Sequence, residues 1–325
     1  MVMKFKVIRV RLEDYAAPHV RRTGGYFYTL REEGWIPAQT LRGAVLRALM
    51  DEGRLGNSAL DSFSITPAFP AGSAPSHALS PALGRKCPDH VELPGSLREL
   101  ADAPDAPSAL EREYSRLREL LASTGGVDLR PAIGRPVRKD PSSTSDVLRY
   151  KIVEARTHVE MHVAVSKSAG SAESGMLFAY EYLVPPSEYW ALSPSEHWDD
   201  HVGSSKLYVT LGKSRGTGST LLEVAKEVDL DVTRGGWAYC LSQCLPSLGG
   251  FEFFSMSDVL GSSSTYLGWF TRSDGSGTKP ALRVISQGSL VLIKDAVNLG
   301  HLWPAGLNFA FSMGDLNDLL RRVTS

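Results

Sequence analysis

Two apolar runs, residues 207–211 and 221–224, flank the glycine-rich and basic stretch Gly212-Lys213-Ser214-Arg215-Gly216-Thr217-Gly218-Ser219-Thr220. Apolar runs broken by this much glycine read as two strands and a turn, not as one helix. Three glycines in seven positions let the backbone turn with positive φ and approach a partner closely. Successive exposed N–H groups in such a turn form a nest that holds an anion. Lys213 and Arg215 add charge, and Ser214, Thr217, Ser219 and Thr220 add hydroxyl donors. The natural ligand is a phosphate. A nucleotide-binding P-loop is excluded, because Gly-Lys-Ser comes first and Leu207 stands where that motif needs its leading glycine. A plainer reading is also open: a hairpin turn with two solvated cations.

A chain of 325 residues holds one large or two medium domains, and 42% hydrophobic residues supply a core. No apolar run approaches the roughly 20 residues that span a bilayer, so no membrane association is expected. The N-terminus shows no signal-peptide pattern, and three cysteines fit a reducing, cytoplasmic setting. Net charge is −1, but it is unevenly spread. The first 54 residues carry ten Lys/Arg against six Asp/Glu, whereas residues 171–205 carry six acids and no Lys or Arg. That asymmetry permits one basic, nucleic-acid-facing surface and one acidic surface for another partner.

Residues 4–12 alternate, with Phe5, Val7, Val10 and Leu12 interleaved with Lys4, Lys6, Arg9 and Arg11, and with an irregularity at Ile8. Period two predicts a strand with an apolar face and a row of cations. Thr40 is the expected N-cap of a helix with Leu41, Ala44, Val45, Ala48 and Leu49 on one stripe and Gly53 at its end. Residues 67–141 hold eleven of the nineteen prolines, a poor composition for a central sheet. They read as an insertion draped on the core, with one helix after Ser108. Thr157–Val165 alternates, with Val159, Met161, Val163 and Val165 opposite His158, Glu160 and His162. It pairs with a strand over 176–184 as a hairpin. A short helix is expected at 195–202, strands within 281–293, and a C-terminal helix through Leu316, Leu319, Leu320 and Val323. A small α+β unit thus occurs twice.

The stretch Ile36-Pro37-Ala38-Gln39-Thr40-Leu41-Arg42-Gly43-Ala44 resembles the Leu-Arg-Gly helix start of RAMP proteins, the RNA-binding subunits of CRISPR effector complexes. The 212–218 loop resembles their glycine-rich loop. Thr157-His158-Val159-Glu160-Met161 and the segment 175–183 are similar to a hairpin of the type III-D subunit that binds the 5′ tag of the guide RNA. Ile65-Thr66-Pro67-Ala68-Phe69-Pro70, Gly268-Trp269, Lys279-Pro280 and Ile285-Ser286-Gln287-Gly288-Ser289 fit the same family. The resemblance implies two ferredoxin-like (RRM-like) βαββαβ domains, residues 1–232 with a Pro-rich insertion at about 70–150, and residues 233–325. It implies guide RNA as ligand. Its protein partners would be other effector subunits, including the large polymerase/nuclease subunit and a backbone subunit. It brings no cofactor and no catalysis. Ala38 stands where the family has glycine, and residues 306–314 lack the cation of a second glycine-rich loop.

On this reading Gly212, Gly216 and Gly218 present amides to phosphates, with Lys213, Ser214 and Arg215 beside them and Arg42 at a helix start whose dipole favours anions. Arg21, Arg22, His158 and His162 are further RNA contacts, and Tyr26, Phe27, Tyr28 and Trp35 are candidates for stacking on bases. Two alternatives are carried. A metal-independent guide-processing ribonuclease would use His19, or Asp14, for 2′-OH chemistry. A protein scaffold would dock the large subunit through the acidic stretch. A zinc site would need Cys87, His90, Cys240 and Cys244 together, the last two on one helix face.

Overall fold

The computed structural model describes residues 2–16, 34–76, 81–83, 90–94, 130–131, 133–141, 147–165, 172–185, 187–212, 218–232, 236–267, 269–272, 275–278, 280–293, 299–312 and 316–324, together with Ser108, Arg112, Ser115 and Glu119. Those last four, all that is described of the helix expected after Ser108, are helical and exposed.

The first sheet is antiparallel and centres on β1 (Val2–Leu12). Its other strands are β2 (Phe69–Pro70), β5 (Ser187–Pro194), β6 (Lys206–Thr210) and β7 (Ser219–Asp231), in the order β6-β7-β1-β5-β2. Between β2 and β5 the chain forms the hairpin β3 (Thr157–Val165) and β4 (Ala172–Leu183), which pairs Ala179 with Met161 and Tyr182 with His158. Helix α1 (Ala38–Asp51) joins β1 to β2, and α3 (Ser195–His201) joins β5 to β6. The short α2 (Asn57–Ser62) follows α1.

One face of this sheet carries Ile8, Val10, Leu12, Leu207, Val209 and Leu222 against Leu41, Val45 and Leu49 of α1, Phe63 and Trp198. The other face carries Phe5, Val7, Trp190 and Leu192 against the C-terminal half of the chain. β1 is therefore not the single-faced strand expected from its sequence. Its apolar residues lie on one side up to Val7 and on the other from Ile8, as alternation requires when two apolar residues are adjacent. β7 follows the change with a bulge: Val7 pairs with Lys226, Ile8 pairs with Val224, and Ala225 is extra.

The second sheet comprises β8 (Gly236–Cys240), β9 (Val259–Leu260), β10 (Leu290–Ile293) and β11 (Ala310–Ser312), ordered β9-β10-β8-β11 and antiparallel. Short 3₁₀ turns, Met256–Asp258 and Leu299–Ala305, stand where the first unit has helices, and α4 (Leu316–Thr324) follows β11.

The proline-rich segment departs from expectation. Its short strands form a six-stranded sheet, and Ala74, Val137, Tyr150 and Ile152 lie in the core shared with the second unit. It is built into the core, not draped on it. The Tyr239 hydroxyl donates to the Pro75 carbonyl, and the Gly134 amide to Ser76 at 3.0 Å. Proline limits strand length here without preventing pairing at edges and ends.

α1 starts two residues before the expected cap. Pro37 is the N-cap residue, at φ −60° and ψ 140°, and makes no side-chain capping hydrogen bond. Ile36 is fixed just before it by a two-way bridge to Ala68. The helix start packs on Gly306, which sits at φ +76°; a Cβ on Gly306 would stand 2.6 Å from the Ala38 Cβ. The glycine of this contact is thus on the far partner. Gly306→Ala is expected to lower stability by about 2–4 kcal/mol through left-handed strain and overlap. Adding Ala38→Gly restores only the overlap part. Urea unfolding of both variants measures the two contributions.

Candidate nucleic-acid interface

The β6–β7 hairpin places the mouth of the 212–218 loop at one end of the first sheet. Thr210 and Ser219 are the last pair, and the Leu211 amide donates to the Gly218 carbonyl at 2.8 Å. Gly212 has φ 99° and Gly218 φ 94°. A Cβ on Gly218 would lie 2.2 Å from the Leu211 carbonyl oxygen, so only glycine closes the mouth this way. The buried Thr220 hydroxyl donates to the Gly218 carbonyl at 2.9 Å. Lys213, Ser214, Arg215, Gly216 and Thr217 lie outside the described residues.

The end of β1 joins this mouth to the β3–β4 hairpin. The amides of Glu13 and Asp14 both donate to the Ser219 carbonyl, at 2.9 and 3.2 Å. Two residues on, Ala16 exchanges both backbone hydrogen bonds with Leu183 of β4. Tyr15 lies between, 40% exposed, with its ring centroid 5.8 Å from His158 and 6.5 Å from Tyr182. Thus the loop mouth, His158 and Tyr15 share one end of the sheet. His158 is exposed, with Nε2 3.9 Å from the Glu160 carboxylate. His162 lies further along β3, opposite Phe178; its side chain is outside the described residues. Val159 and Met161, expected on the apolar side of the strand, are 51% and 56% exposed. Alternation is present, but no other part of the described chain covers that side.

Asp14 accepts a hydrogen bond from the Tyr15 amide at 2.7 Å, a local turn. His19, Arg21, Arg22, Tyr26, Phe27 and Tyr28 lie outside the described residues. Trp35, a stacking candidate, is instead buried and packs at 6.3 Å on Phe69. Arg42 also has a different employment. Its Nε donates to the Phe63 carbonyl at 2.8 Å and its Nη2 to the Leu60 carbonyl, which holds the C-terminal carbonyls of α2. Burial lowers its pKa, opposed by Tyr266 and Asp61; burial raises Tyr266, with Arg42 opposing.

The cysteines do not share a helix face. Cys240 ends β8, and Cys244 exchanges backbone hydrogen bonds with Ile285. Both are buried in the core. Burial, then the hydrogen bond with Cys244, raises the Cys240 thiol well above its ordinary value. Cys87 and the His90 side chain lie outside the described residues. Among the described residues no group of three or more His, Cys, Asp or Glu is placed to hold a metal ion.

Sequence reasoning missed Tyr15, whose role comes from the bridge between Ala16 and Leu183. It also misjudged the cations of β1. The Lys6 ammonium pairs with Asp199 of α3 on the helix-covered face, while Arg9 and Arg11 pair with Glu223 and Glu188 on the other.

Antiparallel sheets with few helices define a strand-rich α+β protein, and among its described residues no helix is long and apolar enough to cross a membrane. The fold is shared with a chain in the cryo-EM structure of the Type III-B Cmr-beta bound to cognate target RNA and AMPPnP, at TM-score 0.50 and 15% identity, over 88% of this chain and 86% of that one. A chain of the Type III-B Cmr-beta bound to cognate target RNA aligns at TM-score 0.47 and 14% identity, over 88% and 86%. One from its apo state aligns at 0.36 and 13%, over 68% and 97%. No protein-family model and no curated protein matches the chain.

Two outcomes test this geometry. Gly218→Ala should speed hydrogen exchange of the Leu211 amide by about tenfold or more, because the closing turn is strained. Arg42→Ala should lower unfolding stability by about 2 kcal/mol, the scale for hydrogen bonds made by a charged group; Arg42→Lys should restore only part, lacking the fork.

Proposed function

We propose that the chain is a non-catalytic RNA-binding subunit of a type III CRISPR interference complex. In this role it clamps the 5′ tag of the guide RNA and caps the complex beside the large polymerase/nuclease subunit and a backbone subunit. The reading takes residues 1–232 and 233–325 as two ferredoxin-like units. Its support is topological: numbering β1, β2, β5 and β7, then β8 to β11, by chain position gives the same spatial order, 4-1-3-2, in both sheets.

The observation that carries the functional reading is the meeting of the glycine-rich mouth with the His158 hairpin at one sheet end, through residues 13–16. Phosphates bind at the loop amides with Lys213 and Arg215 as charged partners, which supplies affinity and register without reading sequence. His158 and Tyr15 offer rings to an unstacked base. Arg42 is left out of the contact set, since its guanidinium holds α2. The shared fold with a chain of an RNA-bound Cmr-beta structure supports the assembly. The scaffold alternative loses some of its motive, because Asp199 of the acidic stretch is paired with the mostly buried Lys6 within the chain.

Replacing Lys213 and Arg215 together by alanine should weaken binding of a guide-tag RNA and flatten its dependence on log[salt] by about 1.4, at roughly 0.7 per single-strand phosphate contact. Unchanged affinity and slope in a salt titration would remove the clamp. Incubation with repeat RNA in EDTA should leave the RNA intact; cleavage abolished by His19→Ala would replace this reading with the ribonuclease.

A further inference from the structure

Phe5, Val7, Trp190 and Leu192 on one face of the first sheet are buried against the second unit and the proline-rich segment. Beside them Arg9, Lys206 and Tyr208 are exposed and Arg11 is half-buried, whereas Leu221 is buried, and the strand register fixes which residues share this face. One row crosses the strands as Lys206, Glu223, Arg9 and Trp190. The next runs Tyr208, Leu221, Arg11 and Glu188, and Thr210 and Ser219 lead from there into the glycine-rich mouth. Directly paired residues of antiparallel strands point to the same side, so these side chains form one surface. Leu207 and Val209, with the opposite parity on β6, are buried on the helix side.

Resting on the RNA-binding reading above, we infer that the exposed side chains of this half-face form a second contact surface for single-stranded RNA, with Tyr208 stacking on a base and Arg9, Arg11 and Lys206 taking phosphates. Tyr208 is 60% exposed, and it is the one large exposed hydrophobic side chain on these rows. A lone exposed ring among cations suits a base better than a protein partner, which needs a contiguous apolar core. With Lys226, which faces the same side opposite Val7, the surface holds four cations against two carboxylates, Glu188 and Glu223.

Those carboxylates do not close the site. Glu223 lies 3.6 Å from Arg9 and 3.0 Å from Lys206, and Glu188 lies 3.1 Å from Arg11. The three cationic side chains are 40–59% exposed, so the pairs are weak and a phosphate exchanges with a carboxylate at little cost. Without RNA the pairs hold the cations extended across the sheet. The rows end in a recess of about 240 Å³ lined by Arg9, Gly72, Glu188, Trp190, Lys226 and Thr324, which gives the strand a concave continuation. Tyr208 and Arg11 stand two strand spacings apart, about 9.6 Å.

The test is fluorescence anisotropy of a labelled guide-tag RNA at several salt concentrations. Tyr208→Ala should weaken binding about tenfold with an unchanged salt slope, because stacking releases no counterions. Tyr208→Trp should retain binding. Arg9→Ala and Arg11→Ala should each weaken binding and lower the slope by about 0.7. Photo-crosslinking with thiouridine-substituted RNA should label the peptide containing Tyr208. Arg9 and Tyr208 are exposed and Arg11 is half-buried, and an unchanged unfolding midpoint verifies that each variant is folded. Wild-type affinity in Tyr208→Ala, with Lys213 and Arg215 still required, overturns the half-face and leaves the loop reading intact. A wild-type protein that binds no RNA overturns both.

Discussion

β1 is buried on both faces, but not along the same length. Phe5 and Val7 meet the second unit, while Ile8, Val10 and Leu12 meet the helices. The adjacent pair Val7–Ile8 is where the buried parity changes, and the charged residues change parity with it. Lys6 falls on the helix side, where Asp199 meets it, and Arg9 and Arg11 fall on the other side, where both are partly exposed. A strand with uninterrupted period-two apolarity would leave a cationic stripe along the whole opposite face. This one confines its arginines to the end that carries the glycine-rich turn. The division of β1 therefore sets both the docking of the two units and the position of the exposed cations.

The turn by which the second unit meets the first is held within that unit by backbone groups as much as by side chains. Asn308, in the left-handed region at φ 61° and fully buried, accepts from the Leu245 amide at 2.6 Å and donates to the Leu245 carbonyl at 3.2 Å. Its own carbonyl accepts from the Trp303 indole at 3.0 Å. The same turn presents Gly306 to the start of α1. The residues 306–312 that lack a loop cation thus have a packing function, and an unpaired charge buried there would be costly. Trp303 stacks on Phe309 with centroids 5.2 Å apart and meets Phe5 edge-on at 5.8 Å, which carries the junction back to β1.

Much of the secondary structure was legible because it rests on local periodicity. β1, the β3–β4 hairpin, the strand after the glycine loop, α1, α3 and α4 all follow from alternation or a helical stripe. What was not legible depends on distant chain. Period two identifies the sides of β3 but not whether Val159 and Met161 meet anything. The spacing of Cys240 and Cys244 is equally compatible with a helix face and with a strand followed by a turn. The pull of Pro37 and the Ile36–Ala68 bridge fixed the start of α1, not the hydroxyl of Thr40. Arg42 looked like a phosphate ligand by its neighbours in sequence; α2, eighteen residues on, claims its guanidinium. The insertion was misplaced because proline density predicts short strands and says nothing of whether they lie in the core.

A net charge of −1 is no obstacle to binding a polyanion. Screening limits interactions between exposed charges to about 10 Å at 0.1 M salt, so a phosphate responds to the charges near it and not to the total. Acids distributed elsewhere are invisible at that range, and two of those in the acidic stretch, Asp199 and Glu188, lie beside Lys6 and Arg11. The sheet end gathers the mouth of the turn and the rings of Tyr15 and His158, with Arg11 two residues and Arg9 four residues before Glu13 along the strand. Affinity in such an arrangement comes from a few local contacts on a rigid sheet, whose geometry is set by the core beneath and not by the ligand. The closure at Gly218 matters for the same reason. It fixes the direction in which the loop leaves the sheet before any ligand arrives, so less ordering remains to be done on binding.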